Sequence, residues 1–417
     1  MVAQGQNIRV LVVDDSAVYR TFIGNSLNQK PGIEVIGTAY DAMDAQEKIA
    51  RLKPDVLSLD VEMPQMNGIE LTKVLLKTMP LPIILVSAAN VGVFDALQAG
   101  AVDFVRKPDP NSNLSPEIFI DELAGKIRIA SVAKIAKKIS PAATKPAATG
   151  QSTAGSGASG GAQAGTMPAA SMVKTTTPVT GAIQAASLQA TNLNSSAPGQ
   201  SAASASVSAI LAGIPKSVPA SVQKKALIVL GASTGGTEST FEVLKRLPAD
   251  IPPMLIVQHM PPGFTKLYAD RLNKNCAMKV KEAEDGDVVV PGQVYIAPGD
   301  RQMALTRTGN MYQLRCGGTE KVSGHCPSVD YMFKSVAANS QLINVGIILT
   351  GMGRDGAEGL MQLKKQGAHT FGESPDSCVV YGMPMAAFNI GAVSVQASNK
   401  DIPALLMKHL NDLAKQL

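Results

Sequence analysis

Three residues suited to acyl transfer lie far apart in the chain: Ser233, His259 and Asp355. Ser233 stands in Gly231-Ala232-Ser233-Thr234-Gly235, directly after the apolar run "ALIVL". A small-residue turn between a strand and a helix N-terminus serves either of two chemistries. It exposes a nucleophilic serine, or it cradles a phosphate. The turn alone leaves both open. A serine nucleophile needs a base, and "MLIVQH" ends in His259. The base needs an orienting carboxylate, and "VGIILTGMGRDG" runs into a glycine-rich loop holding Asp355. All three candidates therefore follow apolar strands. A phosphate loop accounts for the glycines around Ser233 but gives no role to His259 or Asp355. Singly, each residue has a plainer use: helix N-cap for Ser233, backbone-bonded strand end for His259, cap of a helix at 357–365 for Asp355. Only the joint occurrence favours catalysis. Among the other histidines, His369 sits in the strand-like "GAHTF" and His409 in a terminal amphipathic helix. His325, in "SGHCPSVDYMF", is the rival base, read here as a wall of the substrate cleft.

A second group is acidic. "VLVVDDS" ends its strand in Asp14-Asp15, and "VLSLDVEMPQMNG" carries Asp60 at a strand end. Ligand groups gather at the carboxyl ends of parallel strands, so these carboxylates are expected to converge. Clustered carboxylates repel unless a cation or proton intervenes, and hard oxygen ligands beside a phosphate suit Mg²⁺. Ser87 follows "PIILVS" and Lys107 lies in "DFVRKP", a hydroxyl and an ammonium able to hold phosphoryl oxygens at the same rim.

The elements that must position these residues follow a βαβ rhythm. Short apolar runs at residues 10–13, 34–38, 56–59, 83–86 and 104–105 alternate with helical patterns such as 44–52 and 69–79. The rhythm resumes at residues 227–230, 254–258, 345–350 and 368–371. This predicts an α/β protein of two doubly wound parallel-sheet domains, the first flavodoxin-like and the second Rossmann-like. Inside the second, "QVYIAPGDRQMALTRTGNMYQLRC" reads as antiparallel ribbon turning at Thr308-Gly309-Asn310. Between them the chain is Ala, Ser, Gly, Thr and Pro with no aromatic from Phe119 to Phe241. Such a segment buries too little apolar surface to offset its ordering entropy and reads as a flexible linker. "SASVSAILAGIP" within it reads as a transient helix at most. The expected bounds are 6–130 for the first domain, 131–223 for the linker and 224–417 for the second domain.

Composition excludes several classes. The net charge of +5 arises from ten basic residues between Leu123 and Thr237, a stretch without Asp or Glu. Elsewhere 28 basic residues face 33 acidic ones, so a nucleic-acid face is not expected. Four scattered cysteines without a C-x-x-C pair suit neither a disulfide scaffold nor a zinc site. No run of about 18 apolar residues and no signal pattern appears, so no membrane insertion and a cytoplasmic protein are expected. Two other outputs were weighed. A nucleotide-binding module lacks G-K-[ST] after the turn, and a DNA-binding domain lacks a recognition-helix pattern and a basic balance.

From about residue 8 to 130, Asp-Asp, Asp with x-x-Met-Pro-x-Met-x-Gly, Ser and Lys-Pro together resemble a response-regulator receiver domain. The resemblance implies that Asp60 accepts a phosphoryl group. It implies that Asp14, Asp15, Asp60 and the backbone carbonyl of Glu62 bind Mg²⁺, and that Ser87 and Lys107 form the switch. It also suggests a cis Lys107–Pro108 peptide. The stretch from Ser87 to Lys107 is short for a receiver, which predicts a truncated helix there. From about 226 to 395, "GASTGGTE", "QHMPPGFT", "AEDGD", "YIAPGD", "HCPSVD", "LTGMGRDG" and "CVVYGMP" resemble the chemotaxis protein-glutamate methylesterases of the CheB type. That resemblance implies a Ser233–His259–Asp355 triad with Thr234 and Met352 beside it. It implies hydrolysis of glutamate γ-methyl esters on chemoreceptors and deamidation of receptor glutamines, with no cofactor for the ester chemistry. A chemotaxis histidine kinase is the implied phosphodonor, and the unphosphorylated receiver is expected to cover the catalytic rim.

Overall fold

The computed structural model describes residues 6–88, 92–108, 115–133 and 216–417. The first sheet contains β1 (Ile8–Val13), β2 (Ile33–Ala39), β3 (Val56–Asp60), β4 (Ile83–Ser87) and β5 (Asp103–Arg106), in the order β2-β1-β3-β4-β5. All its pairings are parallel. Parallel sheets are covered on both faces, which is why the central strands read as unbroken apolar runs. Val10, Val12 and Val86 face one core, with Phe119, Leu123 and Ile127 of α5 (Pro116–Ser131). Leu11, Leu57 and Leu85 face the other, under α2 (Ala42–Leu52) and α3 (Gly68–Thr78). α1 (Ala17–Asn28) starts on Ser16, whose hydroxyl accepts the Tyr19 N–H. α4 is short, Val93–Ala99, as the spacing from Ser87 to Lys107 predicts.

The second sheet has seven strands in the order β14-β13-β12-β6-β7-β9-β8, again parallel throughout. Its centre is β6 (Ala226–Ala232), flanked by β7 (Met254–Gln258) and β12 (Ile343–Ile348). β8 (Lys279–Glu282), β13 (His369–Glu373) and β14 (Val395–Ala397) lie farther out. The chain leaves β6 in one direction for β7 and returns to its other side with β12. That reversal is the topological switch point, where open α/β sheets place their sites.

Three expectations need correction. β9 (Gln293–Ile296) is a strand of the parallel sheet, paired with β7 and β8, and not part of the ribbon. The antiparallel hairpin is only β10 (Gln302–Thr308) with β11 (Met311–Gly317). The Lys107–Pro108 peptide is trans, the intrinsically preferred isomer, and the one cis peptide among the described residues is Cys326–Pro327. The span read as linker also reaches too far. α6 (Ala220–Lys225) belongs to the folded body and buries Val222 fully. The segment 204–215 lies outside the described residues.

Beyond the site, α12 (Ile402–Ala414) packs His409 face to face with His369 of β13, ring centroids 4.2 Å apart. Burial, and then the neighbouring His369, push His409 down to about 4. The folded state therefore disfavours the protonated ring. Stability is whole above the ordinary histidine range near pH 6.5 and is lost as pH falls from there towards 4. His409→Phe should lose fewer degrees of melting temperature between pH 7 and 5 than the wild-type chain in thermal denaturation.

Candidate active site

β6, β7 and β12 are adjacent, and each delivers one of the three acyl-transfer candidates at its carboxyl end. Ala232 pairs with Gln258 at the last rung between β6 and β7, so Ser233 and His259 leave neighbouring strand ends. The ladder continues one step, with the His259 N–H bonded to the Ala232 carbonyl at 3.1 Å. On the other side the Ser233 N–H bonds the Thr350 carbonyl at 3.0 Å, just beyond β12. Glycines make this closeness possible. A Cβ on Gly351 would lie 2.7 Å from the Ser233 Cβ and 2.4 Å from the Met383 sulfur. Gly235 turns the chain with φ +76° and is the N-cap of α7 (Gly236–Leu244). Ser233 is therefore not the N-cap, which removes its plainest structural use.

Asp355 is 1 % exposed and does not cap the helix that follows it, α10 (Ala357–Lys365), whose N-cap is Gly356. Its oxygens instead accept the N–H groups of Val329 (2.7 Å) and Asp330 (2.9 Å) and the Ser328 hydroxyl (2.8 Å), at the start of α9 (Val329–Asn339). The Oδ2 atom also meets His259 Nε2 at 2.8 Å. Burial by itself would raise this carboxyl. The His259 bond and the helix N–H groups outweigh it and hold the carboxyl below its ordinary value. The other ring nitrogen of His259, Nδ1, is buried without a hydrogen-bond partner. The structure thus joins His259 to Asp355. It brings Ser233 to the neighbouring strand end without a hydrogen bond between its hydroxyl and the ring.

His325 stacks on His259 with centroids 3.7 Å apart and planes 10° from parallel. It lies directly against His259, the candidate base, closer in than a cleft wall. Burial, then the neighbouring His259, push it down to about 4, so at neutral pH it is an uncharged plate. Gln258 is buried too, and its Nε2 donates to the Ser233 carbonyl at 2.8 Å. Neither role has a sequence signal beyond "QH" and "HCPS". Met352 is 49 % exposed on the loop after β12. Its N–H, like that of Thr234, meets no acceptor among the described residues.

Thr234 is held from the first domain. Its hydroxyl donates to Asp103 Oδ2 of β5 at 2.7 Å, while Asp103 Oδ1 pairs with Lys126 at 3.1 Å. Around this contact Phe104 packs on Phe264, centroids 4.4 Å apart, and Phe94 on Tyr268 at 5.6 Å. Phe264 and Tyr268 belong to α8 (Phe264–Asn275). Asp103, Phe94 and Phe104 carry no motif that marks them as contacts of Thr234 and its neighbours.

In the first domain Asp14 and Asp60 are buried and Asp15 is exposed, with carboxylate oxygens of the three within 4.8 Å of one another. Lys107 Nζ lies 2.6 Å from Asp60 and 2.8 Å from Asp14. Burial, opposed by Lys107, pushes Asp60 up to about 6. Ser87 is buried at the end of β4, its carbonyl taken by the Lys107 N–H at 2.8 Å. The Glu62 N–H donates to Asp60 Oδ1 at 3.1 Å. Gly68 of the motif closes this loop, since a Cβ there would stand 2.1 Å from the Asp60 carbonyl oxygen. Carboxylates with a backbone carbonyl form an all-oxygen donor set of the kind a hard divalent cation takes.

Fold and site together define a class: a receiver-type sheet joined to a parallel-sheet domain whose switch point gathers a serine, a histidine and a buried aspartate. A family model described as CheB methylesterase matches residues 228–406, and one described as response regulator receiver domain matches residues 10–118. The chain is 40 % identical over 408 residues to protein-glutamate methylesterase/protein-glutamine glutaminase 2 of Syntrophomonas wolfei, covering 98 % of this chain and 99 % of that protein. It is 38 % identical over 395 residues to the corresponding protein of Syntrophotalea carbinolica, covering 93 % of each. The crystal structure of the Thermotoga maritima CheB methylesterase catalytic domain is also similar, with 38 % identity, a TM-score of 0.43, and 44 % of this chain and 97 % of that one covered. The chain belongs to the CheB methylesterase family, the chemotaxis hydrolases that carry a response-regulator receiver domain. No described helix is long and apolar enough to cross a membrane.

Proposed function

We propose that this chain hydrolyses glutamate γ-methyl esters on chemoreceptors, with Ser233 as nucleophile, His259 as base and Asp355 as the orienting carboxylate. The observation that carries the reading is the His259–Asp355 bond, which leaves Nδ1 as the ring nitrogen without a partner, on a strand end next to that of Ser233. Ser233 Oγ attacks the ester carbonyl while His259 takes its proton. The tetrahedral intermediate expels methoxide, which leaves as methanol with that proton. Water then attacks the acyl-enzyme by the same base and releases glutamate. The free N–H groups of Thr234 and Met352, with the N-terminus of α7, are suited to the developing oxyanion. A glutamine side chain enters the same cycle, with ammonia as the leaving group.

In this reading residues 6–133 form the receiver and 216–417 the catalytic domain of a cytoplasmic enzyme. Asp60 takes a phosphoryl group from a chemotaxis histidine kinase. Asp14, Asp15, Asp60 and the Glu62 carbonyl would hold Mg²⁺, which when bound offsets the charge of the phosphoryl oxygens. Lys107 and Ser87 then grip the phosphoryl group. The Asp103–Thr234 bond and the Phe104–Phe264 contact support a receiver that restrains the catalytic rim until Asp60 is modified.

Ester hydrolysis on methylated receptors, followed by methanol release, tests both halves. A small-molecule phosphodonor should raise the rate several-fold, and Asp60→Asn should abolish that rise. Asp103→Ala should raise the unphosphorylated rate and shrink the stimulation. An Asp103→Ala chain with wild-type basal rate and full stimulation would remove the restraint from the mechanism.

A further inference from the structure

We infer that Glu373 is a positioning residue for the nucleophile turn, acting through Thr350. The inference rests on the esterase reading above. Glu373 ends β13 and is 0 % exposed, and no lysine or arginine pairs with it among the described residues. A carboxyl buried without a cation is costly unless its oxygens are taken by donors. Here they are. Oε2 accepts the Thr350 N–H at 2.8 Å and the Ser239 hydroxyl at 2.7 Å, and Oε1 accepts the Ser377 hydroxyl at 2.9 Å. Ser239 lies in the first turns of α7, the helix that springs from the nucleophile turn.

Thr350 carries this anchorage to the reacting residues. Its carbonyl accepts the Ser233 N–H at 3.0 Å, and its hydroxyl, with one proton to give, lies 3.0 Å from the Thr234 carbonyl and 3.1 Å from that of Val380. The same hydroxyl accepts the Val380 N–H at 2.9 Å. One carboxyl therefore sets the residue that grips the backbone on both sides of the Ser233–Thr234 peptide, whose N–H is free for an oxyanion. It also ties α7 and the 377–380 loop to that residue. Without it the buried Thr350 N–H and Ser239 hydroxyl lose their acceptor. The turn then loses its register rather than its substrate contacts, since Glu373 touches no part of the open rim.

The test compares Glu373→Ala, Glu373→Gln and Glu373→Asp in the full-length chain with phosphodonor. It uses two readouts: kcat and KM for methylated receptor, and the rate at which a fluorophosphonate labels Ser233. Displacement of a reacting group by about 1 Å costs about 100-fold in rate. Folded Glu373→Ala should lose about 10–100-fold in kcat and in labelling rate with KM unchanged. Glu373→Gln should recover most of the loss, because the amide oxygen accepts the Thr350 N–H and Ser239 hydroxyl while its NH₂ faces the Ser377 hydroxyl, which can accept. Glu373→Asp keeps the carboxyl but withdraws the acceptors by one methylene, and should lose about tenfold. Glu373→Ala combined with Thr350→Val should cost no more than the worse single variant, because both act on one turn. Wild-type kcat in Glu373→Asp, or multiplied losses in the double variant, overturns the inference. If Glu373→Ala does not fold, Glu373→Asp and Glu373→Gln carry the test. Wild-type chain inactive on methylated receptor sinks the esterase reading instead, and the labelling rates still decide the role of Glu373.

Discussion

Ser233→Ala should abolish ester hydrolysis, with kcat falling by about 10⁴-fold or more while the fold and phosphoryl acceptance at Asp60 persist. The Ser233 hydroxyl makes no hydrogen bond among the described residues. Its backbone anchors, the N–H on Thr350 and the carbonyl on Gln258, do not depend on the side chain. Removing Oγ therefore leaves every structural bond of the turn in place and takes away only the atom that forms the acyl-enzyme. Circular dichroism and melting temperature should match wild type within about 1 °C, a shift smaller than the several degrees that 1 kcal/mol produces. Rapid mixing of wild-type chain with a chromogenic ester should give a burst that the variant lacks. A Ser233→Ala chain turning over at the wild-type rate would assign the chemistry to another residue.

Asp355→Asn should lower kcat by roughly 10³–10⁴-fold with little change in KM. The reason lies in the four donors around this carboxylate: His259 Nε2, the Val329 and Asp330 N–H groups and the Ser328 hydroxyl. An asparagine has one acceptor oxygen. If its NH₂ takes the Oδ2 position it faces both the ring and the Val329 N–H. The ring then accepts at Nε2 and carries its proton on Nδ1, the nitrogen that must accept from Ser233. If the NH₂ takes the other position it opposes the Asp330 N–H at the start of α9. Some loss of stability, on the order of 1–3 kcal/mol, accompanies either choice. The carboxyl is held below its ordinary value in the fold, so its share of stability is present at neutral pH and fades as pH falls through the acid range. Asp355→Asn should remove part of that acid dependence. Full kcat in the asparagine variant would leave His259 without need of an orienting partner.

Much of this was legible in residue order. Strands covered on both faces must be apolar at every position, so β1, β3, β4, β6 and β7 announced themselves. Ser16, Asp41, Asn67, Ser115 and Ser328 begin helices by accepting an N–H three residues on, a local bond that local order predicts. The strand at Gln293–Ile296 was misassigned because a four-residue apolar run looks alike beside either kind of neighbour. Only its pairing of Val294 with Met254 made it parallel. Asp355 has as its plainer local use the cap of the helix two residues downstream, the nearest set of free N–H groups, and instead it serves a helix that begins 26 residues upstream. Glu373 carries no motif, and it is buried where donors from residues 239, 350 and 377 meet at one point.

Chain order by itself determined the reactive atoms and their strand ends, because strand, turn and cap depend on neighbours within a few residues. Tertiary structure decided which ring nitrogen is bonded to Asp355, which histidine stacks on His259, and which receiver residues reach Thr234. Those contacts join segments up to 131 residues apart, and no local preference encodes a meeting that only the packing of two sheets creates.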